Sequence, residues 1–197
     1  MSWIALLSAL SLSATPSLTP VAPLDDSGRY AVDGVARSQW QIQNAKERYT
    51  LVLSTTGSFR LRDGDERSAR LYATLFVDHG DESQQQWVIQ DRVDDCPFDL
   101  TASFTDPAVF ASDADQDGKV EIWVAYRLAC RSDVSPATLK LIGYEGQQKY
   151  ALRGTARLTL GESHEGGDFQ ADPALSKAPA LLKQAEAWWL QIREDRF

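Results

Sequence analysis

Histidine and cysteine are both scarce in this chain, with two of each among 197 residues. His79 and His164 stand in polar, turn-like segments, and no His-Glu-x-x-His, Gly-x-Ser-x-Gly or Cys-x-x-Cys string occurs. The usual zinc-protease, serine-hydrolase and dithiol chemistries are therefore not available. Bases are also short: 20 Lys and Arg face 28 Asp and Glu, for a formal charge of −8, and no basic cluster is present. Nucleic-acid binding rests on clustered cations that release counterions, so it is excluded as a partner class. Beyond the N-terminal stretch no apolar run is long enough to cross a bilayer, so no transmembrane span is expected in the mature chain. No repeat of 20–50 residues is visible, which removes a solenoid.

What is present begins with the apolar segment Trp3–Ala14, with the first charge only at Asp25. This composition reads as a secretory signal followed by a Pro/Ser/Thr-rich leader, together spanning 1–23. Ser11-Leu12-Ser13 is the best small-x-small cleavage candidate, although no Lys or Arg precedes the apolar run. A buried N-terminal helix is the alternative. No cysteine follows the run, so a lipoprotein anchor is not available. The remaining 24–197 is the right length for one domain with one core. The expected location is periplasmic or secreted, and a monomer is expected.

An even pair of cysteines in an exported chain is most simply one disulfide, Cys96–Cys130. It closes a loop of about 34 residues, worth roughly 3–4 kcal/mol in the chain-entropy model. Two unrelated buried thiols are the alternative.

Strand-like segments of alternating character dominate the rest. They are Tyr49–Leu53, Ala69–Val77, Gln86–Ile89, Phe98–Phe104, Val120–Leu128, Leu139–Tyr144, Tyr150–Leu152 and Ala156–Leu160, separated by Gly, Asp and Ser turns. Such spacing predicts antiparallel pairing rather than βαβ units. Tyr30–Ala45 is mixed and gives no clear element, and Gly161–Ala178 reads as a surface loop. Pro179–Arg193 predicts a helix whose apolar face is Leu181, Leu182, Ala185, Trp188, Trp189 and Ile192. That face either lies on a sheet or serves, through Trp188 and Trp189, as a docking anchor for an envelope partner or a membrane surface. The expected fold is mainly β: antiparallel sheets, as a sandwich or roll, with a C-terminal amphipathic helix packed on them.

The densest chemistry lies in Asp113-Ala-Asp115-Gln-Asp117-Gly118-Lys119-Val-Glu121. Acids occupy positions 1, 3, 5 and 9 of a tight loop, with glycine at 6 and the Lys119 backbone carbonyl available at 7. Calcium needs six to eight oxygens, and this spacing wraps several around one ion. An EF-hand is excluded, because position 12 is Val124 and a strand follows. The loop-then-strand arrangement resembles the calcium loops of FG-GAP blades in integrin-type propellers. A propeller needs at least four blades, and the motif occurs once here. Asp63-Gly64-Asp65 is a faint echo that a surface turn explains. The expected metal ligands are Asp113, Asp115, Asp117, Lys119 (through its carbonyl) and Glu121, with Ca2+ in a structural role. A solvated acidic turn is the bland alternative. Asp91, Asp94, Asp95 and Asp99 around Cys96 form a second acidic group, better read as a solvated turn.

Three strings, the Asp-rich loop, Ala129-Cys-Arg-Ser-Asp-Val-Ser-Pro136 and Lys149-Tyr-Ala-Leu-Arg153-Gly154, together resemble a family of exported bacterial proteins labelled surface-polysaccharide-biosynthesis proteins. The resemblance implies an envelope setting and no particular reaction or catalytic residue. The residues therefore favour a binding or structural module of the cell envelope, with polysaccharide or an envelope protein as partner. The competing expectation is a glycan-active hydrolase or lyase, which needs two carboxylates about 5–9.5 Å apart flanking a sugar.

Overall fold

Period-two alternation becomes two antiparallel meanders facing one another. The computed structural model describes residues 15–21, 28–60 and 64–195. The first sheet runs in chain order through β1 (Ser17–Val21), β2 (Val35–Gln43), β3 (Arg48–Phe59), β4 (Arg67–His79) and β5 (Glu82–Cys96). The second contains β6 (Asp99–Ser112), β7 (Glu121–Arg131), β8 (Thr138–Glu145) and β9 (Gln148–Thr155). After them come the hairpin β10 (Arg157–Leu160) and β11 (Ser163–Gly166), then β12 (Phe169–Ala171). β12 returns to the edge of the second sheet, giving the order β12-β9-β8-β7-β6. Helix α1 (Pro179–Ile192) closes the fold. The expected sandwich of antiparallel sheets with a packed C-terminal helix is what the chain forms.

The layers follow from side-chain parity. Leu51, Leu53, Leu71, Ala73, Leu75 and Ile89 of the first sheet meet Ile122, Val124, Tyr126 and Ile142 of the second. Trp123, Ala125, Leu139, Leu141 and Leu152 point the other way, against Leu181, Ala185, Trp188, Trp189 and Ile192 of α1. Removing each of the Leu, Ile and Val side chains from water contributes about 1.5–3 kcal/mol. β7 is therefore buried on both faces, whereas its alternation predicts one buried face. Alternation records only that successive side chains diverge, and here the outer row is covered by the helix. Trp188 and Trp189 are 8% and 0% exposed, so the docking-anchor reading of the helix does not hold. The Trp189 indole Nε1 donates to the Gly167 carbonyl at 2.9 Å.

The C-terminal end of α1 is held by the sheet beneath it. Arg127 of β7 donates through Nη2 to the carbonyls of Ile192 and Glu194, the latter at 2.7 Å. A cation on the last carbonyls satisfies groups that have no partner within the helix and complements its dipole. The tail then pairs with β10, as Arg157 N–H donates to Arg193 O and Asp195 N–H donates to Arg157 O.

Several segments depart from expectation. β2 arises from the mixed Tyr30–Ala45 stretch because Trp40 and Ile42 join the core row while Gln39, Gln41 and Gln43 take the opposite face. Gly161–Ala178 is not one loop, since it holds β11 and β12. These strands carry no apolar alternation, and β12 forms through backbone proximity: a Cβ on Gly154 would lie 1.9 Å from the Asp168 carbonyl oxygen. Asp91, Asp94 and Asp95 belong to strand β5 rather than to a turn. The leader stretch ending at 23 contains β1, which pairs with β2 from Ser17↔Gln43 to Val21↔Gln39. The apolar Trp3–Ala14 segment and Asp63 lie outside the described residues. No helix among the described residues is long and apolar enough to cross a membrane.

Candidate metal centre

The loop between β6 and β7 is shaped by its own acids. Gln116 and Gly118 both take positive φ, 63° and 83°, which turns the backbone sharply enough for side chains to fold inward. The Gly118 N–H donates to Asp113 Oδ2 at 3.2 Å, the Asp117 N–H to Asp115 Oδ1 at 3.2 Å and the Lys119 N–H to Asp117 Oδ1 at 2.8 Å. The bonds to Asp115 and Asp117, each from the amide two residues on, are those of Asx turns. The Gly118 bond reaches back five residues and closes the loop on Asp113.

The result is convergence. One carboxylate oxygen from each of Asp113, Asp115 and Asp117 lies within 4.8 Å of the others. Glu121, fully buried at the first residue of β7, does not join that trio; it belongs to a second group that shares only Asp115 with the first. Its Oε2 accepts from Ser112 Oγ at 2.6 Å and from the Ala114 N–H at 3.0 Å. Burial pushes the Glu121 carboxyl above the ordinary glutamate range. The bonds from Ser112 and Ala114 pull it back, and the charges of Asp115 and Asp113 push it up further.

Glu145 is the acid that sequence reasoning missed. It stands opposite Glu121 in the β7–β8 register, and an oxygen from each of Asp115, Glu121 and Glu145 falls within 4.8 Å. The only cue was the Glu145-Gly146 turn, placed where β8 must end if β7 begins at the loop. Lys119 bridges the two halves, with Nζ donating to Asp117 Oδ2 and, at 2.8 Å, to Glu145 Oε1. Its bonds to Asp117 and then Glu145 raise the ammonium's pKa, and the Lys119 bond holds the Asp117 carboxyl down. A protonated amine already sits among these oxygens, so the donor set attracts positive charge. All donors are hard oxygens, which fits a calcium-type ion rather than a thiolate- or imidazole-seeking one.

Cys96 and Cys130 form the disulfide, with Cα atoms 5.6 Å apart. It joins the end of β5 to β7 and so staples one sheet to the other. Because Leu100 pairs with Cys130 and Ser112 with Glu121, the bridge and the acidic loop occupy opposite ends of the β6–β7 pair. The second acidic group does not gather: Asp91 pairs with Lys140 and Asp94 with Arg92.

Comparison with known protein families, with curated proteins and with solved structures finds no match.

Proposed function

We propose that this chain is an exported, monomeric, calcium-binding β domain of the bacterial cell envelope. In this reading it acts as a binding or structural module associated with surface polysaccharide. The metal is a staple. The observation that carries the reading is the convergence of Asp113, Asp115 and Asp117, with buried Glu121 bracing the loop from β7. The Lys119 carbonyl would supply a further oxygen. When bound, calcium would neutralise these acids and tie the β6–β7 connection to the sheet. Extracellular calcium modules bind in the 10⁻⁴–10⁻³ M range, which suits an exported domain.

The disulfide supports an oxidising compartment. The resemblance of the Asp113 loop, Ala129–Pro136 and Lys149–Gly154 to exported envelope proteins supports the envelope setting. A structural role is favoured over a hydrolase because Glu121 has no exposed surface and its described donors, Ser112 Oγ and the Ala114 N–H, flank Asp113 at the start of the loop. A glycosidase acid must reach a sugar oxygen.

Native mass spectrometry of the folded, oxidised protein exchanged into calcium-containing buffer tests the reading. One bound calcium per chain is expected, lost in Asp115→Ala. Failure of the wild-type chain to retain an ion would remove the metal assignment. Recovery of the native protein from the cytoplasmic fraction would remove the exported one.

A further inference from the structure

Lys140 of β8 and Arg153 of β9 stand directly opposite one another in the ladder of the second sheet. Tyr126 precedes them in the same lateral row and Gln170 of β12 follows. Two like charges facing across a strand pair repel. The acid beside them is Asp91 of β5, and its oxygens are already engaged. Asp91 Oδ2 accepts from Lys140 Nζ at 2.5 Å and from Tyr126 Oη at 2.9 Å, while Oδ1 accepts from the Arg92 N–H at 3.0 Å. The Arg153 side chain is exposed and has no hydrogen-bond or ion-pair partner among the described residues.

Both cations line an open groove of about 550 Å³ along the β8–β9–β12 edge. Thr138 and Thr155, the next pair on the same face of the ladder, border it, and Gln170 forms the β12 side, while the Phe169 ring packs against Trp189. Asp168 also borders the groove, with no ion pair to Arg153. The β12 wall is set by Gly154, whose lack of a Cβ lets Asp168 come into contact with β9.

We propose that Arg153, with Lys140 beside it, binds an oxyanion, a carboxylate or phosphate group, carried by an extended ligand lying in this groove. A guanidinium presents a planar fork that matches either group with two parallel hydrogen bonds. Thr138, Thr155 and the Gln170 amide supply neutral polar groups alongside it. The open shape suits a chain passing through rather than an enclosed small molecule. The row lies five residues along β8 from Glu145, about 17 Å at strand rise, so this site is independent of the acidic loop.

Titration of the full oxidised chain, followed by amide NMR, tests the proposal with three probes: oligogalacturonate, inorganic phosphate and neutral maltohexaose. One of the two anionic probes is expected to bind and shift the amides of residues 138–140 and 153–155. Which of the two binds more tightly assigns the oxyanion's source. Arg153→Gln should weaken that binding by about tenfold or more, and Arg153→Lys by less, because only the fork geometry is lost. Arg153 is exposed, so both variants should melt like the wild type. The proposal is overturned if neither anion binds at about 10 mM, a limit well above ordinary ligand affinities. Unchanged binding in Arg153→Gln, or equal binding of maltohexaose, overturns it as well.

Discussion

Glu121 and Glu145 stand directly opposite each other across the β7–β8 ladder, and the Lys119 ammonium lies 2.8 Å from Glu145 Oε1. Facing carboxylates repel in a strand pair unless a cation intervenes. Lys119 answers Glu145, while Glu121 relies on Ser112 and Ala114. Glu145→Gln should therefore leave the melting temperature in chelator unchanged or slightly raised. Calcium affinity should fall by about tenfold, since affinity in such sites follows ligand charge. Unchanged affinity would place Glu145 outside the ion's influence.

The Cys96–Cys130 bridge cross-links the two sheets beside the main-chain passage from β5 to β6 and closes a separation of 34 residues. Replacing both cysteines by alanine should cost about 3–4 kcal/mol in denaturant unfolding. The midpoint should drop, and the slope, which follows the surface exposed on unfolding, should rise as the uncrosslinked unfolded chain expands. A loss under about 1 kcal/mol would mean that the bridge does not constrain the unfolded chain as this model requires.

Gly143 sits beneath the Trp123 indole, where an added Cβ would meet the ring at 2.3 Å. Trp123 is fully buried and packs edge-on against Trp188 of α1, so the ring has little room to retreat. Gly143→Ala should destabilise by about 1–3 kcal/mol, as overpacking in a close-packed core does. Leu190→Ser on the solvent side of the same helix, at 57% exposure, should change stability by about 0.5 kcal/mol or less. Comparable losses in both variants would contradict the layer assignment.

Much of this fold is legible in the chain. Ala69–Val77 and Leu139–Tyr144 alternate or run apolar strongly enough to be read as strands, and both lie inside observed ones. The α1 face was equally plain, because six apolar residues recur at helical spacing over three turns. β2 was obscure because glutamines and a serine separate its few apolar residues, and β12 because three residues carry no period. The Asp113 loop was visible as spacing within one segment. Glu145 was not, because its approach depends on the β7–β8 register, which no local spacing reports.

Tyrosine ionisation gives an alkaline test. Burial first, then the Asp91 charge and the bond to Asp91, push the Tyr126 hydroxyl well above its ordinary value of 10.0. Burial and Glu47 do the same to Tyr49. In the folded state these groups keep their protons where the unfolded chain would lose them. Their contribution to stability is thus complete below about pH 10 and declines as pH rises above it. Near-ultraviolet titration should show fewer tyrosinates in the folded protein than in denaturant at pH 11, a value about one unit above the free-tyrosine pKa. Tyr126→Phe should flatten the alkaline fall in melting temperature. Full tyrosine ionisation in a still-folded chain would contradict the buried placement of Tyr126.

The most direct measurement is the melting temperature of the oxidised wild-type protein in chelator and in rising calcium, beside Asp115→Ala. Ion binding to the folded state alone should stabilise it by about 2.7 kcal/mol at a hundredfold excess over Kd, with a midpoint that climbs steadily with calcium. Asp115→Ala should melt near the chelated wild type and respond weakly. A wild-type midpoint that ignores calcium up to about 10 mM, ten times the weak end of extracellular sites, would contradict the account.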